Sequence, residues 1–391
     1  MHGTSRRHFL RGAGAVLVVP TAWPAAAQTA GAGTGRFAPV PLPARIRARP
    51  DRIVDISVCT RPFRAQGPRI EAESLAHQTV IHNYGHGGSG WSLSWGSARV
   101  AVQMALATRA KRIAVIGCGA IGLTSARVAQ RAGLRVRIYC RERPPEVRSS
   151  AATGVWSPDS RLCTEEHATP AFRERWETMA RASFRTWQTL LGLPGAPVEW
   201  HDGYVLSDVP FDQDPANAPM PDGEPDYADL EPLLADLRPR SQPLEPAQHP
   251  FPVPYARRYT QLVFNLSTYQ RLLMEDFMRE GGEIVQRDFA SPRQFTRLPE
   301  RTIIHATGYG ARALFADRSI VPVRGQTARL IPQPEVDYGI SWRGHNLTVV
   351  PRRDGIVVQA KAPGDFGNAD ATPDRAASVE AVLRLASLFP E

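Results

Sequence analysis

The sequence predicts an α/β protein built on a Rossmann-type dinucleotide-binding unit, and two stretches carry that expectation. A short apolar strand, Arg112 to Ile116, runs into Gly117-Cys118-Gly119-Ala120-Ile121-Gly122, a G-x-G-x-x-G turn, and helical spacing follows from Leu123 to Ala132. Gly133 stops that helix before a second apolar strand, Leu134 to Tyr139, and Glu142 follows Gly122 by twenty residues. In such a unit the first glycine makes the tight turn, the second admits a pyrophosphate to the backbone and the third packs helix on strand. The helix amino terminus offers free N–H groups to the phosphates, and an acid near position 142 suits a ribose hydroxyl. Arg141 could accommodate a 2′-phosphate, so this motif alone leaves NADP open. The second stretch is residues 80–96, with five glycines in seventeen, a density that lets backbone amides approach a flat ligand closely.

Composition bounds the rest. The 391 residues, 42% hydrophobic and 22% charged, suffice for packed cores and exclude a disordered or collagen-like chain. The net charge of +9 is carried by arginines spread along the chain, Lys111 and Lys361 being the only lysines, with no block of like charge. That pattern argues against nucleic-acid binding. Cys59, Cys118, Cys140 and Cys163 show neither C-x-x-C nor metal-ligand spacing, so no essential disulfide and no metal are expected.

The amino terminus reads as an export signal. Arg6-Arg7 precedes a mildly apolar run, Ala15 to Pro20, and Ala25-Ala26-Ala27 offers a small-residue cleavage site. The arginine pair points to the twin-arginine translocation machinery and a periplasmic or secreted product. Residues 1–27 are the expected signal and 28–49 a flexible leader. No other run is long and apolar enough to span a membrane.

Further motifs carry a family resemblance. His82-Asn83-Tyr84-Gly85-His86-Gly87-Gly88, Ala152-Thr153-Gly154-Val155-Trp156-Ser157-Pro158, Ala306-Thr307-Gly308 and Val323-Arg324-Gly325-Gln326 resemble landmarks of the D-amino-acid oxidase family of FAD-dependent oxidoreductases. The order differs: in most members the His82-type segment, and the arginine segment seen here as Thr60-Arg61-Pro62-Phe63-Arg64, close the chain. Here both precede the nucleotide loop, which reads as a circular permutation and predicts that residues near Arg49 and Glu391 are neighbours.

The resemblance implies an FAD-binding domain, residues 64–160 and 259–316, and a substrate domain with a mixed sheet, residues 50–63, 161–258 and 317–391. It implies that Gly117, Gly119, Ala120, Ile121, Gly122, Glu142, Thr153, Gly154, Val155, Thr307 and Gly308 bind FAD, with Gly87, Gly88, Ser89, Gly90, Trp91 and Ser92 forming the flavin-binding turn. Arg61 falls at the position that binds the substrate carboxylate, a role suited to arginine's planar fork, and Gly88 where a backbone carbonyl holds the substrate amine. The implied reaction moves a hydride from the α-carbon of a D-amino acid to flavin N5, giving a 2-oxo acid, ammonia and, with O2, hydrogen peroxide. His82 and His86 are expected to brace the glycine loop. Thr348 and Gly344 occupy positions where the family has tyrosines, and Tyr338, Trp342 or His345 are candidates to fill that gap. A flavin dehydrogenase or oxidase of another amine-bearing acid, and a flavin-binding protein without catalysis, are the alternatives; a homodimer is left open.

Elsewhere, Phe172, Trp176, Met179, Phe184, Trp187 and Leu191 share helical spacing, as do Tyr269 to Phe277 and Ser378 to Leu388. Residues 209–255, rich in proline and acid, read as loops.

Overall fold

Backbone hydrogen bonds sort the chain into two sheets. The computed structural model describes residues 42–213, 223–360 and 362–390. The expected export signal and most of the leader lie outside them. In chain order the elements are β1 (Ile53–Arg64), β2 (Arg69–Leu75), β3 (Gln78–Tyr84), α1 (Gly90–Ala107), β4 (Arg112–Ile116), α2 (Ala120–Arg131) and β5 (Arg135–Cys140). Then come α3 (Pro170–Gln188), β6 (Val198–Ser207), β7 (Gln242–Leu244), β8 (Tyr255–Phe264), α4 (Leu266–Arg279), β9 (Glu283–Gln286) and β10 (Thr302–His305). The last are α5 (Ala311–Leu314), β11 (Ile320–Leu330), β12 (Tyr338–Trp342), β13 (Leu347–Arg352), β14 (Gly355–Ala360) and α6 (Arg375–Ala386).

The six-stranded sheet runs β2-β3-β10-β4-β5-β9, parallel throughout except for β2. Its inner strands are near-continuous apolar runs, as burial on both faces demands. The strand–turn–helix–strand unit from β4 to β5 is the one the glycine motif predicts. The eight-stranded sheet, β1-β11-β14-β13-β12-β6-β8-β7, is antiparallel apart from the β12–β6 pair, so the fold is α/β with mixed strands.

Helices α1 to α4 pack with the smaller sheet around one core in which Trp95, Trp176 and Trp187 are almost wholly enclosed, and Trp187 stacks on Phe264 at 4.0 Å. The aromatic stripe read from residues 168–192 lies here. Its helix starts where Thr169 accepts a bond from the Phe172 amide and Pro170 occupies the first turn. A second core forms between the larger sheet and α6, and Ile46 and Ala48 of the incoming chain join Leu388 and Phe389 in it. Arg45 donates to the Phe389 carbonyl, so the segment before β1 and the end of α6 are neighbours.

Helix α1 was not expected. The glycine-dense stretch of residues 80–96 divides into β3, a five-residue turn and the first turns of α1. The sequence Trp-Ser-Leu-Ser-Trp-Gly-Ser-Ala has no amphipathic stripe because almost every side of this stretch is buried. Gly96 is the closest point: a Cβ there would lie 2.1 Å from the Met179 carbonyl oxygen of α3. A Gly96→Val variant should therefore force α1 and α3 apart and lose about 1–3 kcal/mol of unfolding free energy, read as a lower urea midpoint. An unchanged midpoint would contradict this packing.

Candidate active site

A cavity of about 1150 Å³ opens beyond the carboxyl ends of the parallel strands. Open parallel sheets bind ligands at this edge, and the volume exceeds that of ordinary drug-sized pockets. Three motifs that are remote in sequence meet there. In β10, His305 is in register with His82 of β3 on one side and Ile116 of β4 on the other. The glycine turn, the His82–Gly88 turn and Ala306-Thr307-Gly308 therefore leave adjacent strand ends together.

Glycine is obligatory in that turn. Gly117 has φ +111°, and a Cβ on it would lie 2.5 Å from the Ala306 carbonyl oxygen. On Gly122 a Cβ would lie 2.1 Å from the Gly117 carbonyl oxygen, so the third glycine seats α2 on the turn. Gly119, Ala120 and Ile121 bring the amino end of α2 to the cavity wall, where its dipole favours phosphate. A backbone cradle without room for side chains, a helix amino terminus and a cavity of this size fit FAD. Bound there, FAD would supply the two-electron redox chemistry.

Of the residues the sequence assigned to FAD, Gly117, Gly119, Ala120, Ile121, Glu142, Thr153, Val155, Thr307, Gly308, Gly87, Gly88, Gly90 and Trp91 line this cavity. Glu142 pairs with Arg141 at 3.1 Å. Gly122, Gly154, Ser89 and Ser92 stand behind the wall. The Gly154 carbonyl accepts from Phe264 N at 2.6 Å, Ser89 Oγ donates to the Ser160 carbonyl at 3.0 Å, and Ser92 Oγ accepts from Ser157 N at 2.8 Å. Trp91 Nε1 donates to the Ser149 carbonyl at 2.8 Å, and Ser149 Oγ accepts from Ala120 N at 3.0 Å, tying α1 and α2 to the strap between them.

The opposite wall is the polar face of the eight-stranded sheet. Arg61, Tyr259, Gln261, Thr327, Ser341, Thr348 and Gln359 reach it from β1, β8, β11, β12, β13 and β14. Three glycines make room for the longest of these side chains. A Cβ on Gly325 would lie 2.3 Å from Arg61 Nη2, one on Gly203 would lie 2.5 Å from the Tyr259 ring, and one on Gly339 would lie 2.2 Å from Gln261 Nε2. The guanidinium, phenol and amide thus lie flat on the strands beside them.

Arg61 Nη1 donates to the Arg324 carbonyl at 2.8 Å, and no ion pair to it is found among the described residues. Burial pulls its pKa below the ordinary arginine value, the mark of a cation held with little solvent. Its β1 strand is tied to the glycine turn by Gly87 N donating to the Pro62 carbonyl at 3.0 Å, and Gly88 N donates to Ser160 O at 2.9 Å. A carboxylate entering the cavity would find a preformed planar fork beside that turn.

The phenol on this wall comes from a strand that the sequence did not nominate. Thr348 lines the cavity and Gly344 does not. None of the three side chains nominated to replace the family tyrosines does so. Tyr338 donates to the Ala44 carbonyl at 2.6 Å in the core on the far side of the sheet, and Trp342 and His345 stack on each other at 3.7 Å. Tyr259 is the phenol on the polar wall, donating to Gln261 Oε1 at 3.3 Å, with its pKa pushed up to about 12 by burial. Its available signal was the two-residue period that puts Tyr259 and Gln261 on one face of β8.

The histidines do not brace the glycine loop with their side chains. His82 bonds sideways, Nδ1 to His305 Nδ1 and Nε2 to Glu73 Oε2, each at 3.0 Å. His86 is enclosed, neither ring nitrogen has a partner among the described residues, and burial drives its pKa down to about 3. It is neutral near pH 7. Cys118 and Cys140 also line the cavity, and all four cysteines are free thiols.

The model of the family described as DAO, FAD dependent oxidoreductase, matches residues 112–391. A D-amino-acid oxidase of Rubrobacter xylanophilus is 26% identical over 284 residues, covering 71% of this chain and 76% of its own length. One from Streptomyces coelicolor is 24% identical over 287 residues, covering 71% and 78%. Among solved structures, a glycine oxidase from Geobacillus kaustophilus superposes with a TM-score of 0.51 at 16% identity, over 71% of this chain and 78% of its own; this likeness is one of fold.

The buried neutral histidines make a prediction about acid stability. His86 takes up a proton near pH 6.5 when unfolded but only near pH 3 when folded, so between these values the unfolded chain binds the extra proton and stability falls as pH falls. His82 and His305, lowered first by their own burial, act in the same direction. His86 alone should remove about 1.4 kcal/mol per pH unit below its unfolded pKa. Urea unfolding at pH 7 and pH 5 should show that slope, reduced by about one proton in a His86→Gln variant; equal slopes in both proteins would contradict it.

Proposed function

The chain belongs to the FAD-dependent oxidoreductase family, an enzyme family whose cofactor is FAD, and from that premise we propose that it oxidatively deaminates a D-amino acid. The observation that carries this reading is Arg61, a half-buried guanidinium with no ion pair among the described residues, lying on Gly325 in the wall opposite the nucleotide turn. The D-amino-acid oxidases at 26% and 24% identity support the substrate class.

In this reading the Arg61 fork takes the substrate carboxylate and the Gly88 carbonyl accepts a hydrogen bond from its amine. Tyr259 and Gln261 supply a movable donor and acceptor along the polar wall for the rest of the substrate. Two fixed contacts on one amino acid orient its α-C–H bond, and orientation of this kind is the larger part of what a protein adds to flavin chemistry. The substrate loses a hydride and a proton to become an imino acid, which water hydrolyses to a 2-oxo acid and ammonia. Dioxygen takes up two electrons and two protons and leaves as hydrogen peroxide.

The remaining assignments belong to the same proposal. A circularly permuted order is supported by the family match beginning at β4, after Arg61 and the His82–Gly88 turn, and by the packing of residues 45–48 against Leu388 and Phe389. The division into an FAD domain, residues 64–160 and 259–316, and a substrate domain, residues 50–63, 161–258 and 317–391, is part of this reading, with two corrections: residues 259–264 belong to β8 of the larger sheet, and α3 packs in the core of the smaller one. Export through the twin-arginine machinery to the periplasm or medium rests on Arg6-Arg7 and the small-residue site at Ala25 to Ala27. Replacing Arg6-Arg7 with Lys-Lys should hold the precursor in the cytoplasm; unchanged export would refute that route.

Arg61→Leu should keep the bound-flavin spectrum and lower kcat/KM for amino-acid oxidation about a hundredfold or more, and Arg61→Lys should fail to restore it. Gly325→Val should do the same, because its side chain occupies the space of the guanidinium. Turnover within twofold of the parent in Arg61→Leu would refute the carboxylate assignment.

A further inference from the structure

A chain of hydrogen bonds runs from the outer strand of the smaller sheet to the cofactor cavity. Glu73 on β2 is half-exposed, and its Oε2 lies 3.0 Å from His82 Nε2. His82 Nδ1 lies 3.0 Å from His305 Nδ1, and His305 Nε2 lies 2.7 Å from Thr307 Oγ1. Both imidazoles are wholly buried, and the Phe315 ring packs on both, its centroid 4.8 Å from that of His82 and 4.5 Å from that of His305. Thr307 lines the cavity.

The chemistry of the four groups permits one arrangement of protons. Glu73 also accepts from Arg69 Nη2 at 3.0 Å, and these contacts outweigh its partial burial and hold it ionised, so it can only accept. His82 must then carry its proton on Nε2. Burial keeps both rings neutral, so His82 Nδ1 is an acceptor, His305 carries its proton on Nδ1, and His305 Nε2 accepts in turn. The Thr307 hydroxyl is left to donate into His305. The opposite arrangement would set two lone pairs against each other at Glu73 and His82.

We propose that Glu73, His82 and His305 are positioning residues that fix the Thr307 hydroxyl as a hydrogen-bond acceptor facing the cavity, where it takes a hydroxyl donor from the ribityl or ribose part of FAD. An acceptor-only oxygen suits those hydroxyls and repels the phosphates, so the chain helps set the cofactor's register along the cavity. This rests on FAD occupying the cavity and is independent of the substrate. A leucine at position 73 removes the acceptor that His82 Nε2 and Arg69 Nη2 share, which frees the whole chain to reverse and release the threonine proton toward the cavity.

The test is a double-mutant cycle on FAD affinity, measured by quenching of flavin fluorescence as FAD is added to apoprotein, with circular dichroism and melting to check the fold of each variant. Thr307→Val should weaken FAD about tenfold, Thr307→Ser should bind like the parent, and Glu73→Leu should weaken FAD about three- to tenfold. In the Thr307→Val background Glu73→Leu should have no further effect, because no hydroxyl remains to orient. Losses that multiply in the double variant, or a Glu73→Leu protein that binds FAD like the parent, would overturn the proposal. FAD binding retained by every variant with no amino-acid oxidation would count against the reading of function and overturn the proposal as well, whereas graded, coupled losses without oxidation would refute only the reading of function.

Discussion

The rest of the site depends on how closely three backbones approach at the carboxyl edge of β3, β10 and β4. Parallel pairing brings His82, His305 and Ile116 level, and the chain leaves each strand into a different glycine-bearing motif. The Gly117 amide bonds to Tyr139 O at 2.8 Å and the Ala306 amide to Ile116 O at 2.9 Å, so the turn stays tied to its sheet as it bends. With side chains at Gly117 or Gly122 the backbones would clash, the amino end of α2 would move away and the phosphate site would be lost. The same approach carries the proposed Glu73–Thr307 chain, because only level strands put two imidazoles within 3.0 Å of each other.

The larger sheet meets the opposite requirement. It must present polar groups to a ligand while keeping its far face apolar, and antiparallel alternation does this along each strand. What alternation alone does not provide is room for long side chains to lie flat. Gly325, Gly203 and Gly339 provide it beneath Arg61, Tyr259 and Gln261. A guanidinium pressed onto a glycine is held in one orientation, partly dehydrated and with donors to spare, which is the state a bidentate contact needs.

Much of the nucleotide side could be read from the chain because local spacing encodes it. The strand, turn and helix from Arg112 to Arg131 are contiguous, and Gly122 meets its steric limit five residues away at Gly117, although Gly117 meets its own at the remote Ala306. The helices at Phe172–Trp187 and Tyr269–Phe277 show an apolar stripe because one face is wet. Helix α1 shows none, being enclosed on nearly all sides, so no spacing announced it. The substrate wall was the hardest to read. Tyr259 reaches that wall from a strand distant in sequence from the positions nominated, and Tyr338, three residues before the wall residue Ser341 on the same strand, faces the far side, as alternation dictates. The partners of His82 were equally hidden, since His305 is 223 residues away and meets it only through sheet order.

The central claim, that this cavity joins FAD to an amino acid held by Arg61, is tested most directly by the visible spectrum of the FAD-loaded protein under anaerobic conditions, before and after addition of single D-amino acids and their L-enantiomers. The account predicts a flavin spectrum that bleaches with one or more D-amino acids and stays unchanged with their mirror images. A spectrum that remains fully oxidised with every amino acid in the panel would contradict it.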